Sequence, residues 1–491
     1  MNRLLQALDR RVNPVFIKEI RQSLRGRFFR TAFSMALATA WITTLFVLLE
    51  LNTLSEGSGG QWFFLWQHGI YILTSFIVIP GLANRGMSAE QEENTFDALT
   101  ISGLSPAQIV MGKVLAASIL QGLFLFAFLP FLSLGFAFFG LDLITSLVIL
   151  LFTTVGGAGF ALFGILAACL AKTRASNNLM QGLFTMGTVG LSMGWIGFSS
   201  AAIMDLGVMS LSGGELLANV LVVLLLWYLF LYWAFAFTAA TLTHPEENAT
   251  ARIRFASLLL SLAALIGAIT HLYFDPDPEL LNTWVLYILL LTMLTHIPSI
   301  TEEDSLGRRA LADLSMKKWR RPGMALFLKG GNRGVAFFML SLSLPFLLYL
   351  FPASSSPFHE KAGFNGVIAA LFVVLALTGT PSLLAGRSKA SPRSRFILRL
   401  AILFSLPILS LLSLLLGALN EDPLGPPLNP IYLIGSAFEN TSYADTSGAF
   451  HLFGFFGFVA FIGNLYRMKK ARQERKVILQ SLPFTEKDGE D

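Results

Sequence analysis

Apolar runs alternate with short polar segments along the whole chain. Twelve runs lie near 31–50, 62–83, 108–139, 143–171, 179–204, 217–243, 255–274, 281–300, 334–351, 365–385, 396–419 and 447–466. Each is about as long as the roughly 18 residues that a helix needs to cross a bilayer. The pattern predicts an all-α, polytopic membrane protein of about twelve transmembrane helices in two six-helix halves. The third run is long for a simple span and holds Pro130, which predicts a kink.

The polar segments alternate in charge. One set carries Arg3 to Arg30, Arg85, Lys172, Arg174, Arg252, Arg254, Arg308 to Arg333, Arg387 to Arg399 and the tail from Arg467, with Lys113 at the same interface. The other set carries Glu50, Glu56, Asp142, Asp205, Glu215, Asp275, Asp277, Glu279, Glu421 and Asp422, and Lys361 is the one basic residue on that side. Positive charge concentrates on the cytoplasmic face of membrane proteins, so both termini are expected there. About 30 residues precede the first run, which is long enough to span, so it reads as a retained signal anchor. The chain then divides into an elbow segment (1–30), a first half (31–245), a second half (246–466) and a basic tail (467–491).

Composition sharpens this picture. Of 491 residues, 54% are hydrophobic and only 13% charged, and the mean hydropathy is +0.65. Soluble domains carry about twice that charge. The single Cys169 rules out an intramolecular disulfide and reads as a small packing residue. His68, His244, His271, His296, His359 and His451 are scattered without metal-ligand spacing, and no paired carboxylates accompany them. The Gly112-Lys113 pair precedes Val114, and Gly103 lies too far back for a phosphate-binding loop. No metal, no cofactor, no nucleic-acid partner and no enzymatic role are therefore assigned to the chain.

Two segments carry more information. The first, NPVFIKEIRQSLRGRFF, runs from Asn13 to Phe29. Asn13 suits a helix N-cap and Pro14 the first helical position. Phe16, Ile20, Leu24 and Phe28 recur every four residues, with Lys18, Arg21, Arg25 and Arg27 mostly on other faces. This spacing predicts an amphipathic basic helix lying on the membrane surface, with anionic lipid as its partner. The second segment, EQEENTFDALTISGLSPAQIVMGK, runs from Glu90 to Lys113. Ser88 to Gln91 fits a capping box, and acids follow in the first turn. Phe96 and Leu99 then share one face. Gly103 ends that short helix, and Ser105-Pro106-Ala107-Gln108 fits a second capping box that opens span three. Lys113 is expected to snorkel from there to the headgroups.

Together these segments resemble the permease subunits of ABC-2 type transporters. That family has an interfacial elbow with an Asn-Pro-Val, Lys-Glu-hydrophobic-Arg pattern, matched here by NPVFIKEIRQ. After its second span comes an acid-rich segment, then Gly-Thr, a Ser/Thr-Pro turn and hydrophobic-Gly-Lys, matched by EENTFDALTISGLSPAQIVMGK. The chain departs at Asn94, where the family usually has Gly. The resemblance covers about the first 245 residues.

It implies an exporter in a bacterial inner membrane. A separate ATPase subunit would hold ATP and Mg and would dock on a coupling helix near 89–101, through Glu92, Glu93, Thr95, Phe96 and Leu99. The elbow would comprise Phe16, Lys18, Glu19, Ile20, Arg21 and Leu24, and the entry to span three Ser105, Pro106, Gly112 and Lys113. Two readings of the second half stay open. It completes a pore within one chain, or it is accessory and two chains, or this chain and a second permease, pair through their first halves. The acidic Thr301 to Asp304 and the basic Lys317 to Arg321 suit either a second docking element or a lipid-touching loop. Trp195 to Gly214 is expected to re-enter the membrane, and Asn420 to Tyr443 to cap the outer mouth. A secondary transporter and a membrane scaffold are the rival functions, although almost no acid lies deep inside the runs, which argues against proton coupling.

Overall fold

The computed structural model describes residues 13–49, 59–92, 103–137, 141–171, 174–204, 213–243, 248–274, 278–302 and 325–350, with helical positions between 371 and 378 and between 455 and 473. The described residues form helices and no strand. Nine of these helices are long and apolar enough to cross a membrane. They correspond to the first nine predicted spans. The predicted span at 396–419 and the 420–443 loop lie outside the described residues, the span at 365–385 lies largely outside them, and the span at 447–466 is helical where it is described, at 455 and over 457–466. The chain divides into two compact units, Met1–Leu242 and Thr243–Asp491.

The first unit opens with α1 (Pro14–Arg25), whose N-cap Asn13 accepts a hydrogen bond from the Val15 N–H at 3.0 Å. Gly26 turns the chain in an extended conformation, and α2 (Arg27–Leu49) begins at once. Helix α3 (Gly59–Glu92) is continuous, with a π-turn over Thr74–Val78. Pro80 follows that turn and has no N–H to bond four residues back, so a locally wider turn accommodates it. At about 1.5 Å per residue its 34 residues rise roughly 50 Å, well past a hydrocarbon core of about 30 Å. This corrects two expectations. Span two does not end near 83, and Ser88 is not an N-cap: Ser88 and Gln91 lie inside the last turns of α3.

Helix α4 (Pro106–Leu134) starts at the predicted capping box, with Ser105 Oγ and the Gln108 side chain each serving the other's backbone N–H. Gly103 before it has φ +80°, the left-handed conformation that a side chain would strain. Helices α5 (Leu143–Leu170), α6 (Arg174–Met204) and α7 (Gly213–Leu242) complete the unit. Helix α6 runs unbroken through Trp195 to Met204, so that part of the predicted re-entrant stretch is plain helix. Of the rest, 205–212 lie outside the described residues and Gly213 and Gly214 begin α7.

Glycines let α5 approach its neighbours closely, the usual device where lipid supplies no hydrophobic drive between helices. A Cβ on Gly164 would stand 2.5 Å from the Pro80 carbonyl oxygen, and one on Gly159 would stand 2.6 Å from the Trp227 ring. Aromatic rings fill the core between α2, α3 and α4, with Phe124 edge-on to both Phe29 and Phe33.

The second unit contains α8 (Thr250–Phe274), α9 (Pro278–Ile300) and α10 (Gly331–Leu342), which the 3-10 turns from Pro345 extend to the ninth stretch of spanning length, Gly331–Leu348. Arg254 is fully buried. Its guanidinium donates to the Leu326, Leu328 and Gly330 carbonyls at 2.5, 2.7 and 2.9 Å and pairs with Glu302 at 3.2 Å. His296 bonds Ser341 at 3.0 Å and joins α9 to α10.

Candidate functional site at the elbow

Three elements converge where α1 meets the end of α3 and the start of α4. Gly112 is the reason α1 can reach α4. A Cβ there would stand 2.9 Å from Val15 Cβ and 3.1 Å from the Phe16 backbone nitrogen. Asn13 adds a side-chain bond to the Gln108 carbonyl at 2.5 Å. The next residue, Lys113, is only 3% exposed. Its ammonium lies 2.7 Å from Glu19 Oε1 and 2.9 Å from Glu90 Oε2. Glu90 also receives Lys18 at 2.6 Å. The result is a chain of alternating charge, Lys18–Glu90–Lys113–Glu19, with two acids matching two bases.

This corrects the expectation that Lys113 snorkels to headgroups. Two carboxylates within 3 Å hold the ammonium in the protein interior. Burying ions without partners would cost several kcal/mol each, and the mutual attraction offsets that cost only in such close geometry. The Gly-Lys pair therefore has a mechanical reading: the glycine admits the elbow and the lysine grips it.

The elbow presents three faces. Val15 and Glu19 are its buried face. Phe16 and Ile20 are partly covered, while Leu24 and Phe28 are about 40% exposed. Lys18, Arg21 and Arg25 are exposed. The apolar stripe read from the sequence thus points mostly away from the protein, and a carboxylate fills the face beside it. Arg85, near the end of α3, sits 4.4 Å above the Phe28 ring, a cation–π contact that fixes the start of α2.

A second tie closes the end of α3. Ser88 Oγ donates to Asn177 Oδ1 at 3.1 Å, and Asn177 Nδ2 donates to Glu92 at 3.3 Å. Glu92 is thereby placed at the last turn of α3, against α6. Ser105 and Pro106 open α4. Glu93, Thr95, Phe96 and Leu99 lie outside the described residues.

Sequence reasoning missed a polar layer inside the first unit. Gln67 donates to Thr43, Thr44 and the Ala40 carbonyl at 2.9–3.1 Å. His68 pairs with Thr153 at 2.8 Å, and the Trp195 indole N–H donates to the same hydroxyl at 2.8 Å. Gln121 donates to Tyr71 and Ser75 at 2.9 and 2.7 Å, and Tyr71 bonds Thr154. These bonds join α2 to α6 within apolar runs. The adjacent pairs Thr43-Thr44, Gln67-His68 and Thr153-Thr154 were the available signal.

No protein-family model matches the chain, and no curated protein or solved structure matches it either.

Proposed function

We propose that this chain is the membrane-spanning subunit of an ABC-2 type exporter, in a bacterial inner membrane with both termini in the cytoplasm. A separate ATPase, holding ATP and Mg, docks on the segment that follows α3, through Phe96, Leu99 and the acids around them. One observation carries the reading. Glu90 stands in the last turn of α3 before that segment and Lys113 about two turns into α4 after it, and the two are ion-paired to each other and to α1. A push on the intervening residues is then delivered to three elements at once, α1, α3 and α4. Such a corner is what a permease without its own nucleotide-binding loop needs.

Gentle purification from the native membrane, followed by mass spectrometry, tests this. A stoichiometric ATPase subunit is the expected companion. It should be lost in a Phe96→Asp, Leu99→Asp double variant that still inserts in the membrane and stays monodisperse. A wild-type preparation that is monodisperse and carries no ATPase would overturn the proposal, as would full ATPase retention in the double variant.

A further inference from the structure

A cavity of about 410 Å³ opens across the middle of α5 and α6. Phe76 of α3, Phe152 and Phe160 of α5 and Trp227 of α7 form its walls, and Gly190 and Gly194 of α6 leave its remaining side flat. Two features narrow the choice of ligand. First, among the described residues the only polar side-chain atoms in the lining are the indole nitrogens of Trp195 and Trp227, and both are already engaged. Trp195 donates to Thr153 at 2.8 Å and Trp227 to the Val155 carbonyl at 3.4 Å. A polar or charged ligand would lose its hydration and gain no partner. Second, the space is small. One turn of α-helix, about 10 Å across and 5.4 Å tall, already fills roughly 420 Å³, so a helix of a neighbouring protein would seat at most one turn there. An extended hydrocarbon chain fits that volume, and the surrounding solvent consists of such chains.

The α6 glycines agree with this choice. A Cβ on Gly187, Gly190, Gly194 or Gly197 would meet nothing within 4 Å, although each glycine weakens a helix by about 1 kcal/mol relative to alanine. Packing among the described residues does not account for them. A flat strip beside aromatic walls does suit a zigzag methylene chain, which gains its binding from close dispersion contact.

We infer that this cavity is a binding site for one acyl chain of a bilayer phospholipid, held against α6 between α5 and α7. The inference is independent of any ATPase. The test uses the full chain in phosphatidylcholine proteoliposomes doped with a phosphatidylcholine that carries a mid-chain diazirine. After illumination, adducts are mapped by mass spectrometry. They should concentrate around residues 190–195 and 223–227, above the background on the exposed face of α2 at Met35, Trp41 and Phe46. Gly190→Leu with Gly194→Leu should cut the cavity adducts about tenfold, equivalent to about 1.4 kcal/mol, and leave α2 labelling unchanged. Leu191→Trp, at an exposed lining residue, fills the same space without touching a glycine and should act alike if the double variant does not fold. Even labelling over all lipid-facing helices would overturn the inference. So would cavity adducts that persist in both folded variants, or chain-to-chain crosslinks through α6 in place of lipid adducts.

Discussion

At the scale of single residues, the charge that matters most at the elbow is one the solvent does not see, Lys113. Lys113 holds two carboxylates at once, so Lys113→Met should destabilise the first unit by about 3–5 kcal/mol, the usual penalty for stranding a buried partner. Adding Glu19→Gln and Glu90→Gln should recover much of that loss. Thermal unfolding of the detergent-solubilised chain measures both, and a stability unchanged by Lys113→Met would refute the buried pairing. Asp142, outside the spans, behaves differently. It caps α5, accepting the Thr145 N–H at 2.6 Å. Burial works to raise its pKa, but the Thr145 side chain and the backbone N–H groups of Thr145, Ile144 and Leu143 outweigh it and hold the carboxyl below its ordinary 3.8. A depressed folded-state pKa contributes stability that is complete above 3.8 and is lost as pH falls through the lower folded value. Asp142→Ala should therefore cost about 1 kcal/mol near neutral pH. The gap to wild type should shrink below pH 3.8, where the wild-type carboxyl takes up its proton.

At the scale of elements, glycine decides which helices touch. Gly164 faces the Pro80 carbonyl and Gly182 faces open space. Gly164→Ala should weaken the α3–α5 crossing, whereas Gly182→Ala should be neutral or stabilise α6 by up to about 1 kcal/mol through helix propensity. Unfolding of the two variants side by side separates packing from propensity, because the substitution is the same. Gly112→Leu should lift α1 from α4, since its side chain would need the space of Val15 and Asn13. Protease cleavage near Arg25 reports that release. Unchanged cleavage would mean that the elbow is held by its ion pairs alone.

At the scale of the whole molecule, nine helices of spanning length and composition among the described residues agree with a multi-pass membrane protein. Sidedness rests on the distribution of Lys and Arg. Reporter fusions at both termini should read cytoplasmic, and a reporter inserted in the Asn420 to Tyr443 loop should read external. A terminus on the outer side would overturn the charge-based orientation. It would also place the elbow and the docking segment beyond the reach of any cytoplasmic ATPase.

The sequence by itself determined the helical class, the places of the first nine apolar helices apart from the far end of the second, and the caps at Asn13 and Ser105. These follow from local physics: apolar run length against bilayer thickness, and side chains that satisfy their own helix termini. It also brought out the two segments that meet at the elbow. What it did not contain was their register against each other. The apolar stripe at Phe16, Ile20 and Leu24 was legible, yet the face that docks is Val15 and Glu19, because Gly112 and Lys113 lie about 95 residues away in sequence and only the fold sets them opposite. For the same reason Lys113 read as an interfacial residue and Ser88 as a cap. A capping box is local, but whether a helix stops there depends on what holds its next turn, and Asn177 holds it here. The polar layer around Thr153 and the cavity before α6 belong to tertiary structure too, since each is assembled from several helices whose residues look like ordinary spans when read one at a time.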